Sequence, residues 1–262
     1  MIYDAHAYLG DNPVWDLYGL PVPLEADAWV EMLDQAGIDG ALVAPPGVGA
    51  AEDFEPDMDR IARAVDKYPA RLFGFCRVKP RQGALAIDVL RRRVTEQGFR
   101  ALKLNSQDDD YRLDDRRLLD PVLDAAAELG IVVFFHTGDT HYATCTPNMV
   151  ADIAVDYPDT TFIIGHMGFG GVNGFPGSTE EVVPAMQRAA NTVTETAGVF
   201  KPQFIQDVID VVGAERVLMG SNGPYAPIEL PRIMIQKHMN RLSAEEKALV
   251  TGGNFERIFD LA

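Results

Sequence analysis

Cysteine is nearly absent from this chain, with Cys76 and Cys145 the two examples in 262 residues. Two cysteines make no disulfide framework, so no stapled scaffold is expected and a reducing cytoplasm is the expected setting. Long apolar runs are missing as well. None approaches the roughly 18 residues of a membrane-spanning helix. Asp4 and His6 interrupt the N-terminus where the apolar stretch of a signal peptide would fall, so none is expected. Basic charge is in deficit: 23 Lys and Arg face 39 Asp and Glu, a formal net charge of −16. Nucleic acid and anionic membranes select basic surfaces, so neither is an expected partner, which leaves a small-molecule substrate. The first strand is not followed by a phosphate-binding GxGxxG turn; His6-Ala7-Tyr8-Leu9-Gly10 stands there instead.

What the chain has is alternation. Strand-like runs occupy residues 1–10, 40–45, 71–78, 99–105, 131–136, 161–166, 192–197 and 216–221. Helical spacing fills the intervals, over 24–36, 57–68, 84–97, 118–129, 147–157, 179–190, 201–212 and 227–239, with a last helix from about 243 to 261. Eight strand–helix units at spacings of about 25 to 40 residues suit parallel pairing through helical crossovers. The strands are apolar on both faces, as in a parallel sheet covered by helices. An open doubly wound sheet usually has fewer strands, so the expectation is an α/β protein, a single (β/α)8 TIM barrel over residues 1–262. No linker or low-complexity segment marks a second domain. Such barrels commonly associate through their helical faces, which leaves a homo-oligomer open.

Active sites of these barrels lie at the C-terminal ends of the strands. Those ends carry His6 and Tyr8, Arg77, Lys103 and Asn105, His136, His166, Glu195, and Ser221-Asn222. Three of the five histidines thus finish barrel strands, a coincidence a structural barrel has no need of. In the opening strand, Asp4 shares a face with His6 but lies deeper and reads as a structural carboxylate. Glu195 supplies a carboxylate if it faces inward, but the other register of Thr-Val-Thr-Glu-Thr puts threonines there. Arg77 and Lys103 read either as clamps for a substrate carboxylate or enolate, or as rim salt bridges. Asp139, His141 and Cys145 follow strand five closely and read as a polar loop with a buried thiol. Trp15, Tyr18, Tyr142, Phe169 and Phe175 are candidates for an apolar pocket wall, or for loop anchors.

DAHAYLG at the start, FRALKLN, FFHTGD, FIIGHMG, NTVTETAG, RVLMGSNGPY and the closing GGNFERIFDL resemble, in order, the amidohydrolase-related family. That branch contains metal-dependent hydrolases and nonoxidative decarboxylases. The resemblance implies a divalent metal held by a His-x-His pair on strand one, a strand-five His and a strand-eight Asp, with a strand-six His acting on water or substrate. Carried over, His6, His136 and His166 match; Tyr8 replaces the second His of the pair, and Asn222 replaces the Asp. Tyrosine must lose a proton of pKa about 10 to ligate well, and Asn222 supplies no charge beside a cation and no base for bound water. The implied cofactor is therefore either none or one divalent cation, Zn2+ or Mn2+, on His6 and His136.

His166, His136, Tyr8 and Asn222 are the candidate catalytic groups, with Arg77, Lys103 and Asn105 on the substrate. The reaction implied is hydrolysis or C–C/C–O lyase chemistry on a small carboxylated or cyclic substrate, the family including a pyrone lactonase that works without metal. A metal-independent dehydratase, isomerase or cyclase, and a non-catalytic binding barrel, are the competing readings.

Overall fold

The computed structural model describes residues 1–47, 53–138, 144–170 and 177–261. Asp139, His141, Tyr142 and Phe175 lie outside the described residues. Eight strands follow one another in sequence: β1 (Tyr3–Tyr8), β2 (Gly40–Ala44), β3 (Leu72–Arg77), β4 (Ala101–Leu104), β5 (Val132–Phe135), β6 (Phe162–Ile164), β7 (Thr192–Glu195) and β8 (Val217–Leu218). All pair in parallel, in the order β1 to β8. The Ala5 N–H donates to the Met219 carbonyl at 2.8 Å and the Tyr8 N–H to the Gly223 carbonyl at 2.8 Å, which returns the sheet to its first strand. The expected (β/α)8 barrel is what forms.

Its strands are buried on both faces because helices cover the outside and side chains fill the inside. Phe75 on β3 and Phe134 on β5 meet edge-on inside the barrel, 5.5 Å between ring centroids. The outer layer comprises α2 (Ala26–Ala36), α3 (Glu55–Lys67), α4 (Ala84–Gln97), α5 (Arg116–Glu128), α6 (Pro147–Ala154), α7 (Val182–Arg188), α8 (Pro202–Val212) and α9 (Leu230–His238). In α3, Met58, Ile61 and Ala64 are the buried positions, the helical repeat turned to the sheet. Thr146 caps α6 by accepting the Met149 N–H, and Pro147 takes the first turn, where its missing N–H is not needed.

Three elements differ from expectation. A short helix, α1 (Val14–Leu17), sits in the loop after β1. Helix α2 begins at Ala26 because Leu24 is held in an antiparallel bridge with Gly10, bonded both ways at 2.9 and 3.1 Å. The closing helix is not continuous: α10 (Ala244–Ala248) passes through a π-turn at Leu249–Gly253 into α11 (Asn254–Ile258). The Met1 carbonyl packs against Gly252 so closely that a Cβ there would collide with it.

Candidate active site

The strands deliver a stack of polar groups on the barrel axis. At its base lies Glu195, which ends β7 and points inward without solvent exposure. Its carboxyl accepts the His166 N–H at 2.6 Å and the Ala197 N–H, and lies 3.2 Å from Nδ1 of His6. Room for it exists because residue 220 is glycine; a Cβ there would stand 2.5 Å from Glu195 Oε2. On the other side of the His6 ring, Nε2 meets Nζ of Lys103 at 2.5 Å. Nζ also donates to the Tyr8 hydroxyl at 2.9 Å and lies 4.1 Å from the centre of the Tyr8 ring. His6, Lys103 and Glu195 are fully enclosed. Burial holds the pKa of His6 and of Lys103 well below their ordinary values and pushes Glu195 up to about 8 against the pull of its N–H donors. All three are therefore driven toward their uncharged forms. Asp4 stands apart from this stack as a tie between β1 and the end of β8: it accepts the His6 N–H at 3.1 Å, the Ser221 N–H at 2.9 Å and the Ser221 hydroxyl.

A histidine pair stands beside this stack. The backbone at His166 and Met167 is left-handed, with φ of 57° and 51°, so the chain turns sharply as β6 ends. Thr137 braces the turn, its hydroxyl donating to the Gly165 carbonyl at 2.5 Å and accepting the Gly168 N–H at 3.1 Å. Gly138 has φ of 99° and passes so near the Phe169 carbonyl that a Cβ would be 2.4 Å from its oxygen. The turn sets His166 Nδ1 2.7 Å from the Ala197 carbonyl and Nε2 3.1 Å from His136 Nδ1. A carbonyl only accepts, so His166 carries its proton on Nδ1. Its Nε2 then accepts from His136 Nδ1, which leaves Nε2 of His136 as a free base. Burial depresses the His136 pKa to about 3, with Lys103 and Arg77 adding to it.

Above both groups opens a cavity of about 380 Å³ at the C-terminal ends of the strands. Tyr8, His136, His166, Arg77, Asn105 and Asn222 border it, with Phe169 and Tyr225 as its aromatic wall. The Tyr225 hydroxyl accepts from Asn12 at 2.7 Å, and its ring meets Tyr8 edge-on at 5.1 Å. Arg77 lies 4.3 Å from the Phe54 ring centre and is paired with Asp108 at 3.3 Å and Asp109 at 3.2 Å. Asn105 donates to Asp108 at 2.7 Å. Among the described residues, two buried atoms of cavity-lining side chains, Nε of Arg77 and Oδ1 of Asn222, have no hydrogen-bond partner.

The structure therefore brings together His6, Tyr8, Lys103, His136 and His166, and gathers Arg77, Asn105 and Asn222 at the edge. Lys103 lies below the cavity rather than at its mouth. Trp15 is buried against Tyr225, Tyr18 borders a separate cavity, and Cys145 is buried. His238 is exposed on α9. Sequence reasoning left the direction of Glu195 open and passed over Asp108, Asp109 and Tyr225; the run Gln107-Asp108-Asp109-Asp110 directly after β4 was the available signal for the aspartates. Among the described residues, His6, His166 and Glu195 form the one group of three whose ligating atoms lie within 4.8 Å of one another.

Residues 3–261 match the amidohydrolase family, and the chain belongs to it. Membership makes it an enzyme of hydrolase or lyase type. A search of curated proteins by sequence found no match. Solved structures share the fold at low identity. The 5-carboxyvanillate decarboxylase of Sphingomonas paucimobilis is 18% identical, with 99% of this chain and 98% of that one covered and a TM-score of 0.73. The 2,6-dihydroxybenzoate decarboxylase from Rhizobium is 18% identical, with 100% and 99% covered and a TM-score of 0.74. A dihydroxybenzoic acid decarboxylase from Polaromonas sp. JS666, with bound manganese and the inhibitor 2-nitroresorcinol, is 20% identical, with 99% and 97% covered and a TM-score of 0.74. Among the described residues, no helix is long and apolar enough to cross a membrane.

Proposed function

We propose that this protein is a lyase or hydrolase for a small carboxylated ring compound, and that His136 is its base. The observation that carries the reading is the direction of the histidine pair. Because the Ala197 carbonyl fixes the proton of His166, the pair presents an unprotonated Nε2 of His136 beside a cavity that also holds Arg77 and Asn105. A cavity of this size suits a single-ring acid. Tyr8 and Asn222 lie at its edge to bind substrate oxygens, and the positive charge of Arg77 beside it favours a carboxylate. Single-ring aromatic acids are also what the fold relatives named above decarboxylate, which supports carboxylic acids as the substrate class. His166 acts through His136, holding its tautomer, rather than on the substrate.

The residues do not fit the divalent ion that the resemblance implies. Tyr8 and Asn222 are neutral where a histidine and a carboxylate would be needed, and both ring nitrogens of His6 are already bonded. The trio His6, His166 and Glu195 is closed by its own hydrogen bonds and by the Ala197 backbone. A bound carboxylate raises the depressed His136 pKa, so Nε2 can take the proton of a ring hydroxyl and return it to the ring carbon as CO2 leaves, which needs no metal-activated water.

The test is incubation of the purified protein, with and without a strong chelator, with a panel of hydroxy- and methoxybenzoic acids and carboxylated lactones, followed by mass spectrometry. Loss of CO2, or gain of water, that survives the chelator is the expected result. Turnover abolished by the chelator and restored by manganese would overturn the metal-free form, and no turnover or binding of any acid would overturn the substrate class. A product of unchanged mass would favour an isomerase or cyclase instead.

A further inference from the structure

We propose that Lys103 is what keeps this pocket free of metal: its Nζ takes the place between His6 and Tyr8 and uses the atoms of both that a cation would need. A lysine is rarely enclosed without a carboxylate beside it. Lys103 is enclosed, and among the described residues no carboxylate lies within ion-pair distance of it. Its surroundings are instead two lone-pair atoms, His6 Nε2 at 2.5 Å and the Tyr8 oxygen at 2.9 Å, and the rings of Tyr8, Phe134 and Phe75. That is a nest for a cationic centre, filled by the chain's own side chain.

The occupation is independent of where the protons rest. With Glu195 ionised, His6 carries its proton on Nδ1 toward the carboxylate and Nε2 accepts from Nζ. With Glu195 neutral, the proton passes to Nε2, which donates to the Nζ lone pair. Both placements consume His6 Nε2, and both leave Nζ a hydrogen for Tyr8. The other neighbours close the alternative routes, since His136 Nδ1 is turned to His166 and His6 Nδ1 to Glu195.

A second effect follows at Tyr8. Its oxygen accepts from Nζ, and His6 Nε2, 3.2 Å away, is already engaged; with Glu195 neutral the Nζ lone pair is engaged too, so among the described residues the phenolic hydrogen has no acceptor below it. The hydrogen is left to the cavity that Tyr8 borders, and Tyr8 becomes a donor aimed at a substrate oxygen. Lys103 is thus a positioning residue for Tyr8, a role that rests on the functional reading above; the exclusion of metal does not.

The test is metal content, which needs no substrate and so fails or succeeds separately from the assigned reaction. Wild type, the double variant Tyr8→His/Asn222→Asp, and the triple variant that adds Lys103→Ala are each dialysed against Mn2+ or Zn2+. Each is then gel-filtered, analysed for metal, and melted with and without the ion. Wild type and the double variant should retain no stoichiometric ion, and the triple variant should retain one equivalent and melt higher when loaded. One equivalent in wild type or in the double variant, with Lys103 in place, would overturn the proposal. So would a triple variant that keeps its circular dichroism and takes up no ion. If the triple variant does not fold, Lys103→Met in the same background replaces it, and the first two proteins still decide against the proposal by loading.

Discussion

Below the Tyr8 ring, Glu195, His6 and Lys103 bond to one another and to backbone N–H groups with no solvent exposure. Above it, His136, Arg77 and Asn222 border an open cavity, and among the described residues two buried edge atoms have no partner. The two regions lie on the same strand ends yet obey different rules. In the enclosed stack every polar atom is committed, so a lost partner is paid for in stability. At the edge, side chains face a cavity that a ligand can fill, so losses there appear in kinetics. Chemistry-bearing residue types alone do not distinguish these roles; depth along the strand does.

The sharpest way to break this contrast is to remove the base. His136→Gln should lower turnover of whichever acid is accepted by about 10²- to 10⁴-fold, the usual worth of a positioned base, while thermal melting stays near that of wild type. A large loss of stability instead would move His136 into the enclosed class. Next in size, Glu195→Ala strands the His166 and Ala197 N–H groups in the interior and should cost roughly 3 kcal/mol, at about 1 to 3 for each lost buried bond, read by urea denaturation.

The pH dependence of the same residue gives a finer test. The folded carboxyl of Glu195 titrates at about 8, above its unfolded value, so the folded state holds the extra proton between the two. Its contribution is full below the unfolded pKa and is lost as pH rises through about 8. The stability of Glu195→Gln relative to wild type should therefore improve as pH rises from about 5 to about 8, measured by urea melts across that range. A constant difference would show that the carboxyl is ionised throughout. Smallest is Tyr225→Phe, which removes the bond from Asn12 and should cost about 1 kcal/mol with the edge-on contact to Tyr8 retained.

The barrel was legible because parallel strands buried on both faces announce themselves as apolar runs, and each run found here has its strand. The histidines were legible because a strand end is a place, and three of them occupied one. Glu195 was not, since Thr192-Val193-Thr194-Glu195-Thr196 is polar on either face and alternation cannot choose between them. Nothing local foretells the enclosure of Lys103 either; it depends on Tyr8, His6 and two phenylalanines from three other strands. The break in the closing helix likewise coincides with non-local contacts, the Met1 carbonyl lying against Gly252 and the Val250 carbonyl accepting the Met219 N–H at 2.9 Å.

The left-handed turn at His166 and Met167 has a consequence for how such a chain drifts over generations. Two non-glycine residues in that conformation store about 1–2 kcal/mol each, and a glycine at 167 would relieve its share. Met167, however, is fully buried, and emptying its site would cost about 2–5 kcal/mol, more than the relief. Descendants that abandoned the reaction would be free to lose His136, yet packing would still hold them to the bend. In a set of relatives, persistence of the bend would then report ancestry, and persistence of the base would report use.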